Sequence, residues 1–136
     1  VDEKDKFLIL DLLTWMHEKK LDYTNTFCHL MNVEVQKDKS YEDENFKIWK
    51  KRWKVRLSIN NDTTEKYIKL MKSVNPLVIP RNHKVEESLE AAEKNDLNQI
   101  NQLLEVLNKP YTKQKDIIKY QSPSLSNKKY QTFCGT

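Results

Sequence analysis

Asn75-Pro76-Leu77-Val78-Ile79-Pro80-Arg81-Asn82-His83, followed by Glu86-Glu87-Ser88-Leu89-Glu90-Ala91-Ala92-Glu93 and by Leu103-Leu104-Glu105-Val106-Leu107-Asn108-Lys109-Pro110-Tyr111, decides the fold class of this 136-residue chain. Each proline removes a backbone donor and pushes the preceding residue out of the helical region, so residues 75–80 read as an extended connector between two helical stretches. Beyond it the spacing predicts one helix from about His83 to Lys94 and a second from about Leu97 to Asn108, split by Asn95-Asp96 with Asp96 as N-cap. Leu97, Ile100, Leu103, Leu104 and Leu107 recur at helical spacing and give the second helix an apolar stripe.

Upstream the same periodicity continues. Asp62 to Glu65 has capping-box spacing and opens a helix carrying Tyr67, Ile68, Met71 and Val74, which Pro76 ends. Between about Tyr41 and Ile59, Phe46, Trp49, Trp53 and Leu57 fall on one stripe, with Glu42, Asp43 and Glu44 early and Lys50, Lys51, Arg52, Lys54 and Arg56 late, as the helix dipole favours. Val33 to Ser40 is a polar connection. Asp22 caps a short helix bearing Phe27, Leu30 and Met31. The first helix, about Asp2 to Lys19, has a wide apolar face of Leu8, Ile9, Leu12, Leu13, Trp15 and Met16, with Phe7 and Leu10 outside it, and so expects partners on more than one side. The expected fold is all-α, a small bundle of about six helices over residues 1–110, with a basic and mostly irregular tail over residues 111–136.

Composition agrees. With 38% hydrophobic and 32% charged residues the chain suits a surface-rich helical protein, and one glycine with four prolines leaves little material for hairpin turns. The single glycine, Gly135, also removes any Gly-rich phosphate loop, and no H-R-D or D-F-G sequence is present. No apolar run approaches the ~20 residues of a membrane span. A cytoplasmic protein without membrane contact is expected. From Tyr111 onward five lysines, Lys113, Lys115, Lys119, Lys128 and Lys129, face Asp116 alone, so the formal charge of +4 lies in the tail.

The Asn75–Tyr111 run, the segment Asp22-Tyr-Thr-Asn-Thr-Phe27 and the terminus Phe133-Cys134-Gly135-Thr136 together resemble the C-terminal region of the selenoprotein O family. The resemblance covers about Leu8 to Thr136. It implies a larger parent of protein-kinase-like fold that transfers AMP from ATP to Ser, Thr or Tyr hydroxyls of proteins, with ATP and Mg2+ bound by an upstream lobe absent from this sequence. On that reading the chain carries no catalytic residue, is inactive alone and supports the upstream kinase-like lobe through its first helix. Its partners are then that lobe and the parent's protein substrates, and it binds no nucleic acid.

Several individual residues admit a functional and a purely structural role. The interleaved Lys47-Ile-Trp49-Lys-Lys-Arg52-Trp53-Lys-Val-Arg56 has the composition of a nucleic-acid surface, yet both tryptophans sit on the core stripe. An independent helical module that binds nucleic acid or an acidic partner is the alternative this segment and the basic tail leave open. His17, His29 and His83 have no zinc-helix spacing, and the two cysteines, Cys28 and Cys134, lack that of a structural zinc site, so no metal site is expected. Glu86, Glu87, Glu90 and Glu93 read as a solvated face and Cys28 as a buried small hydrophobe. Asn75, Pro76, Arg81, Asn82 and His83 form the motif of most interest: Asn82 is placed to cap the next helix and Arg81 to fork onto a carboxylate or phosphate, in a structural role against the catalytic lobe. Cys134 lies two residues from the end, near Lys128 and Lys129, which favour the thiolate. The resemblance makes it a redox switch, closing a reversible disulfide onto the upstream lobe.

Overall fold

The structure is a computed structural model that describes residues 3–35, 37–59 and 63–124. Among them are seven α-helices, one 3-10 helix and no strand: α1 (Glu3–Glu18), α2 (Tyr23–Leu30), η1 (Lys39–Glu42), α3 (Glu44–Ser58), α4 (Thr64–Val74), α5 (Asn82–Glu93), α6 (Asn98–Leu107) and α7 (Ile118–Gln121). The expected all-α class holds. Two compact units divide the chain, Val1–Asn75 and Pro76–Thr136.

Side-chain caps set the helix starts. Asp22 accepts from the Asn25 N–H at 2.9 Å and opens α2 as expected. Asp43 does the same for α3, accepting from Asn45 at 2.8 Å, so Tyr41 and Glu42 belong to η1 rather than to α3. Asp62 lies outside the described residues; Thr63 is the residue that caps α4, through its hydroxyl and the Lys66 N–H. Helix ends meet a different constraint. Lys20, Asn32 and Asn95 take left-handed φ values of 54°, 57° and 64°. After each helix the N–H of the following residue reaches back to a carbonyl five positions earlier, Leu21 to Met16, Val33 to Cys28 and Asp96 to Ala91. These are Schellman closures, a conformation that ordinarily selects glycine. The only glycine stands at position 135, so residues with a Cβ hold these turns.

In the first unit α1 and α3 run antiparallel. Asp5 pairs with Arg56, Asp11 with Arg52 at 2.7 Å, and Lys19 with Asp43 at 2.6 Å, so position falls along α3 as it rises along α1. Between these pairs the Trp49 indole N–H donates to the Leu8 carbonyl at 2.8 Å. The core beneath holds Leu12, Trp15, Met16, Leu30, Phe46 and Trp49. Its rings form a ladder: Trp15 stacks on Phe46 at 4.5 Å, Phe46 on Trp49 at 5.9 Å and Trp49 on Trp53 at 5.7 Å, and Trp53 meets the edge of Tyr67 at 5.7 Å. Trp49 is 7% exposed. Trp53 packs against the cluster but is only half-buried, which corrects its placement in the core. Of the wide apolar face expected on α1, Leu12, Trp15 and Met16 are buried.

In the second unit α5 and α6 form a helical hairpin, and Leu77, Val78, Leu103, Val106, Ile117 and Tyr120 make the core. The segment after Pro110 is partly regular: α7 buries Tyr120 and Gln121.

His29 lies half-buried with its ring 4.0 Å from that of Tyr41 and nearly parallel to it. Burial holds its imidazole below the ordinary 6.5, and the Lys50 charge adds to the effect. The folded state therefore favours the neutral ring. Its contribution to stability is complete above about pH 6.5 and is lost as pH falls from there toward the folded value, because the unfolded chain takes up the proton first. A His29→Phe variant is expected to lose less stability than the parent chain between about pH 7 and pH 5. Urea titrations at stepped pH measure this, and parallel curves for the two proteins would count against it.

The ring ladder separates its two central members. Trp49→Ala should cost about 3–5 kcal/mol as a large core truncation, and Trp53→Ala roughly 1–2 kcal/mol, within the ordinary range for a half-buried side chain. Equal losses in chemical denaturation would contradict the difference in burial.

Candidate functional site

The connector at residues 75–80 is held by hydrogen bonds at Asn75 and at Leu77. Asn75 closes α4: its backbone N–H and its side-chain amide both donate to the Met71 carbonyl at 2.9 Å. This satisfies one of the carbonyls a helix end leaves open. In the second unit Leu77 and Val78 are buried, the Leu77 N–H donates to the Pro110 carbonyl at 2.7 Å, and the Gln121 amide donates to the Leu77 carbonyl at 2.7 Å. Gln114 adds a clamp at the end of α6, giving its amide to the carbonyls of Val106 and Lys109, both at 2.9 Å. Extended backbone can be buried only when its polar groups are paired, and Gln121 supplies part of that pairing.

Arg81, Asn82 and His83 stand at the start of α5. Arg81 occupies the N-cap position, half-buried, and its carbonyl receives the N–H groups of Lys84 at 2.9 Å and Val85 at 3.0 Å. Asn82 is the first helical residue and exposed, and α5 has no side-chain cap, which corrects the expectation that Asn82 caps it. The same displacement occurs at α6. Leu97 holds the cap position there, although the Asp96 carboxylate still accepts the Asn98 N–H at 3.0 Å. Ser88, buried on α5, turns its hydroxyl back to the Lys84 carbonyl at 2.8 Å. Glu86, Glu87, Glu90 and Glu93 are exposed, with Glu87 bound to Lys84 at 2.7 Å.

The first unit presents two further surfaces. On α1 the apolar side chains Phe7, Ile9, Leu10 and Leu13 stand 64%, 53%, 57% and 37% exposed. Phe7 and Leu8 continue onto Val55 and Ile59 of α3 around an open groove of about 380 Å³, in which Arg56 forks onto Asp5 through its Nε and Nη2. Phe7, Ile9, Leu10 and Leu13 form an exposed apolar strip along α1. The basic and aromatic segment of α3 has the opposite character. The Trp49 indole is spent on Leu8, Trp53 lies between Trp49 and Tyr67, and Arg52 and Arg56 are tied to α1, so neither tryptophan offers an open stacking face.

Cys28 is fully buried in α2. Cys134, Lys128 and Lys129 lie outside the described residues. Among the described residues no three His, Cys, Asp or Glu side chains gather as a metal site would require, and no helix is long and apolar enough to cross a membrane. The sequence reading missed Gln114 and Gln121. Glutamine has no place in an apolar stripe or a cap pattern, so the one signal it offered was its position after a proline-bounded core segment.

Comparison with known proteins places these features in a family. The family model described as protein adenylyltransferase SelO matches residues 1–108. The chain is 47% identical over 136 residues to the protein nucleotidyltransferase YdiU of Pelagibacter ubique, 42% identical over 137 residues to that of Alcanivorax borkumensis and 42% identical over 135 residues to that of Clostridium perfringens strain 13. Each alignment takes in 98% or 99% of this chain but 28% of the relative, so the chain spans little more than a quarter of the length of these relatives. With a match over most of its residues, the chain belongs to the protein adenylyltransferase SelO family.

Proposed function

We propose that this chain is the C-terminal helical portion of a protein adenylyltransferase that moves AMP from ATP to Ser, Thr or Tyr hydroxyls, and that it serves as a support for the catalytic lobe. The observation that carries the reading is the exposed apolar flank of α1 in a chain that aligns with 28% of its relatives' length. A larger parent supplies the surface that Phe7, Ile9, Leu10 and Leu13 lack within their own unit. ATP and Mg2+ are bound by the upstream kinase-like lobe, and the parent's protein substrates meet that lobe. The clamped connector keeps Arg81, Asn82 and His83 at a fixed helix start, suited to a positioning role. The parent works in the cytoplasm.

Family membership, together with the engaged tryptophans and arginines of α3, favours this reading over a separate nucleic-acid-binding module. In the longer parent, labelled AMP from ATP should appear on protein, and Leu10→Asp should lower that transfer several-fold while leaving the thermal melt of the 136-residue chain nearly unchanged, because Leu10 is exposed there. Failure of the unaltered parent to label protein would remove the activity from the reading. Full transfer by the Leu10→Asp parent would remove the supporting role.

Cys134 completes the proposal as a redox switch. A two-electron oxidant, such as a peroxide or a disulfide, takes the electrons as the Cys134 thiol and an upstream thiol lose their protons and join in one S–S bond. Cys28 is unsuited as the partner because it is fully buried. Peptide mapping of the oxidised parent should find Cys134 joined to a cysteine upstream of Val1, and Cys134→Ala should abolish the response of AMP transfer to oxidant. A Cys134 that stays reduced throughout, or that bridges to Cys28, would reject the switch.

A further inference from the structure

The first unit contains a recess that plays no part in the support role. It measures about 250 Å³ and lies between the ends of α2 and α3 and the start of α4. Lys50 and Lys54 line it, four residues apart on one face of α3, together with the hydroxyl-bearing Ser58, Thr64 and Tyr67 and the ring of Trp53. Like charges one helical turn apart repel. The carboxylates that pair with the cations of α3 among the described residues take Lys47, Arg52 and Arg56 rather than this pair. Lys50 is half-buried, and its ammonium lies 5.9 Å from the centre of the Phe46 ring. Burial, and after it the Lys54 charge, hold that ammonium below its ordinary range. Half-buried Lys50 and exposed Lys54 repel across one helical turn, a cost that an anion between them would reverse.

We propose that this recess binds a small phosphate-bearing anion, its charge held by Lys50 and Lys54 and its oxygens by the Thr64 and Tyr67 hydroxyls. Two ammonium groups and two hydroxyls lining one recess suit a phosphate oxyanion, which ammonium groups bind as point charges. The volume sets the size of the ligand. At about 250 Å³ the recess falls below the roughly 300–1,000 Å³ of pockets for drug-sized ligands, so it takes inorganic phosphate or a compact phosphomonoester rather than a nucleotide triphosphate. Trp53, standing edge-on to Tyr67, provides an apolar wall for the ester group. The proposal does not rest on the adenylyltransferase reading and is tested on the 136-residue chain, so its failure and that of the adenylyltransferase reading are separate results.

The test titrates the 136-residue chain with inorganic phosphate at constant ionic strength, with chloride as the balancing salt, and follows the Trp53 indole N–H by nuclear magnetic resonance. A saturable shift is expected, weakened about tenfold or more in Lys50→Gln and in Lys54→Gln, the loss of one close charge contact. Lys47→Gln, on the same helix but outside the recess, should bind within about twofold of the unaltered chain, as an exposed charge does. Circular dichroism checks that each variant is folded, and Lys54→Gln gives the reading if Lys50→Gln does not fold. No saturable shift at millimolar phosphate would overturn the proposal. So would equal weakening by Lys47→Gln, because the effect would then be general screening of a basic surface.

Discussion

The hydrogen bond from the Trp49 indole to the Leu8 carbonyl fixes the register on which the first unit depends. Apolar helix faces slide past one another at little cost, since Leu, Ile and Met contacts are not directional. One buried donor with a single acceptor removes that freedom. With Trp49 held at Leu8, the ion pairs from Asp5 to Arg56 and from Lys19 to Asp43 fall at the two ends of the α1–α3 pair. Exposed ion pairs contribute little to stability, and their value here is to disfavour other registers. The ring ladder from Trp15 to Tyr67 then carries the same register through to α4.

The sequence revealed the elements better than their joints. Asp22 before Tyr23-Thr24-Asn25 carries its own instruction, because a carboxylate that can reach the third amide of a turn defines a helix start wherever it occurs. Phe46 and Trp49 were legible for a similar reason, since helical spacing alone puts them on one face. Trp53 shows the limit of that logic. Periodicity assigns a side chain to a face but does not say how far the neighbouring helices extend along it, and Trp53 lies where cover by its neighbours becomes partial. Asn82 and Asp96 missed their cap positions by one residue each, because a chain leaving an extended connector or a left-handed turn enters the helix at an angle that composition does not encode.

The features of the candidate site were the least legible. Gln114 and Gln121 act through single amides placed by the folded chain, eight and forty-four residues from the carbonyls they reach at Val106 and Leu77. The exposed flank of α1 was visible as excess apolar width, but only the structure distinguishes Leu12, Trp15 and Met16, which the unit covers itself, from Phe7, Ile9, Leu10 and Leu13, which it leaves outside. The sequence pattern showed a wide apolar face, and the fold shows which part of it the unit leaves exposed.

The contrast between the α5–α6 hairpin and the α1–α3 pair bears on the order in which the chain assembles. The α5–α6 contact joins neighbours across the short Lys94–Leu97 turn, so it forms at the cost of closing a small loop. The Trp49–Leu8 bond spans 41 residues and waits on α2 and η1 being gathered in between. Local contacts form faster than distant ones, so the hairpin arises early and the aromatic unit late. Within this chain α1 precedes α3 by some forty residues, so the Trp49–Leu8 bond that fixes their register closes only after α3 has been made.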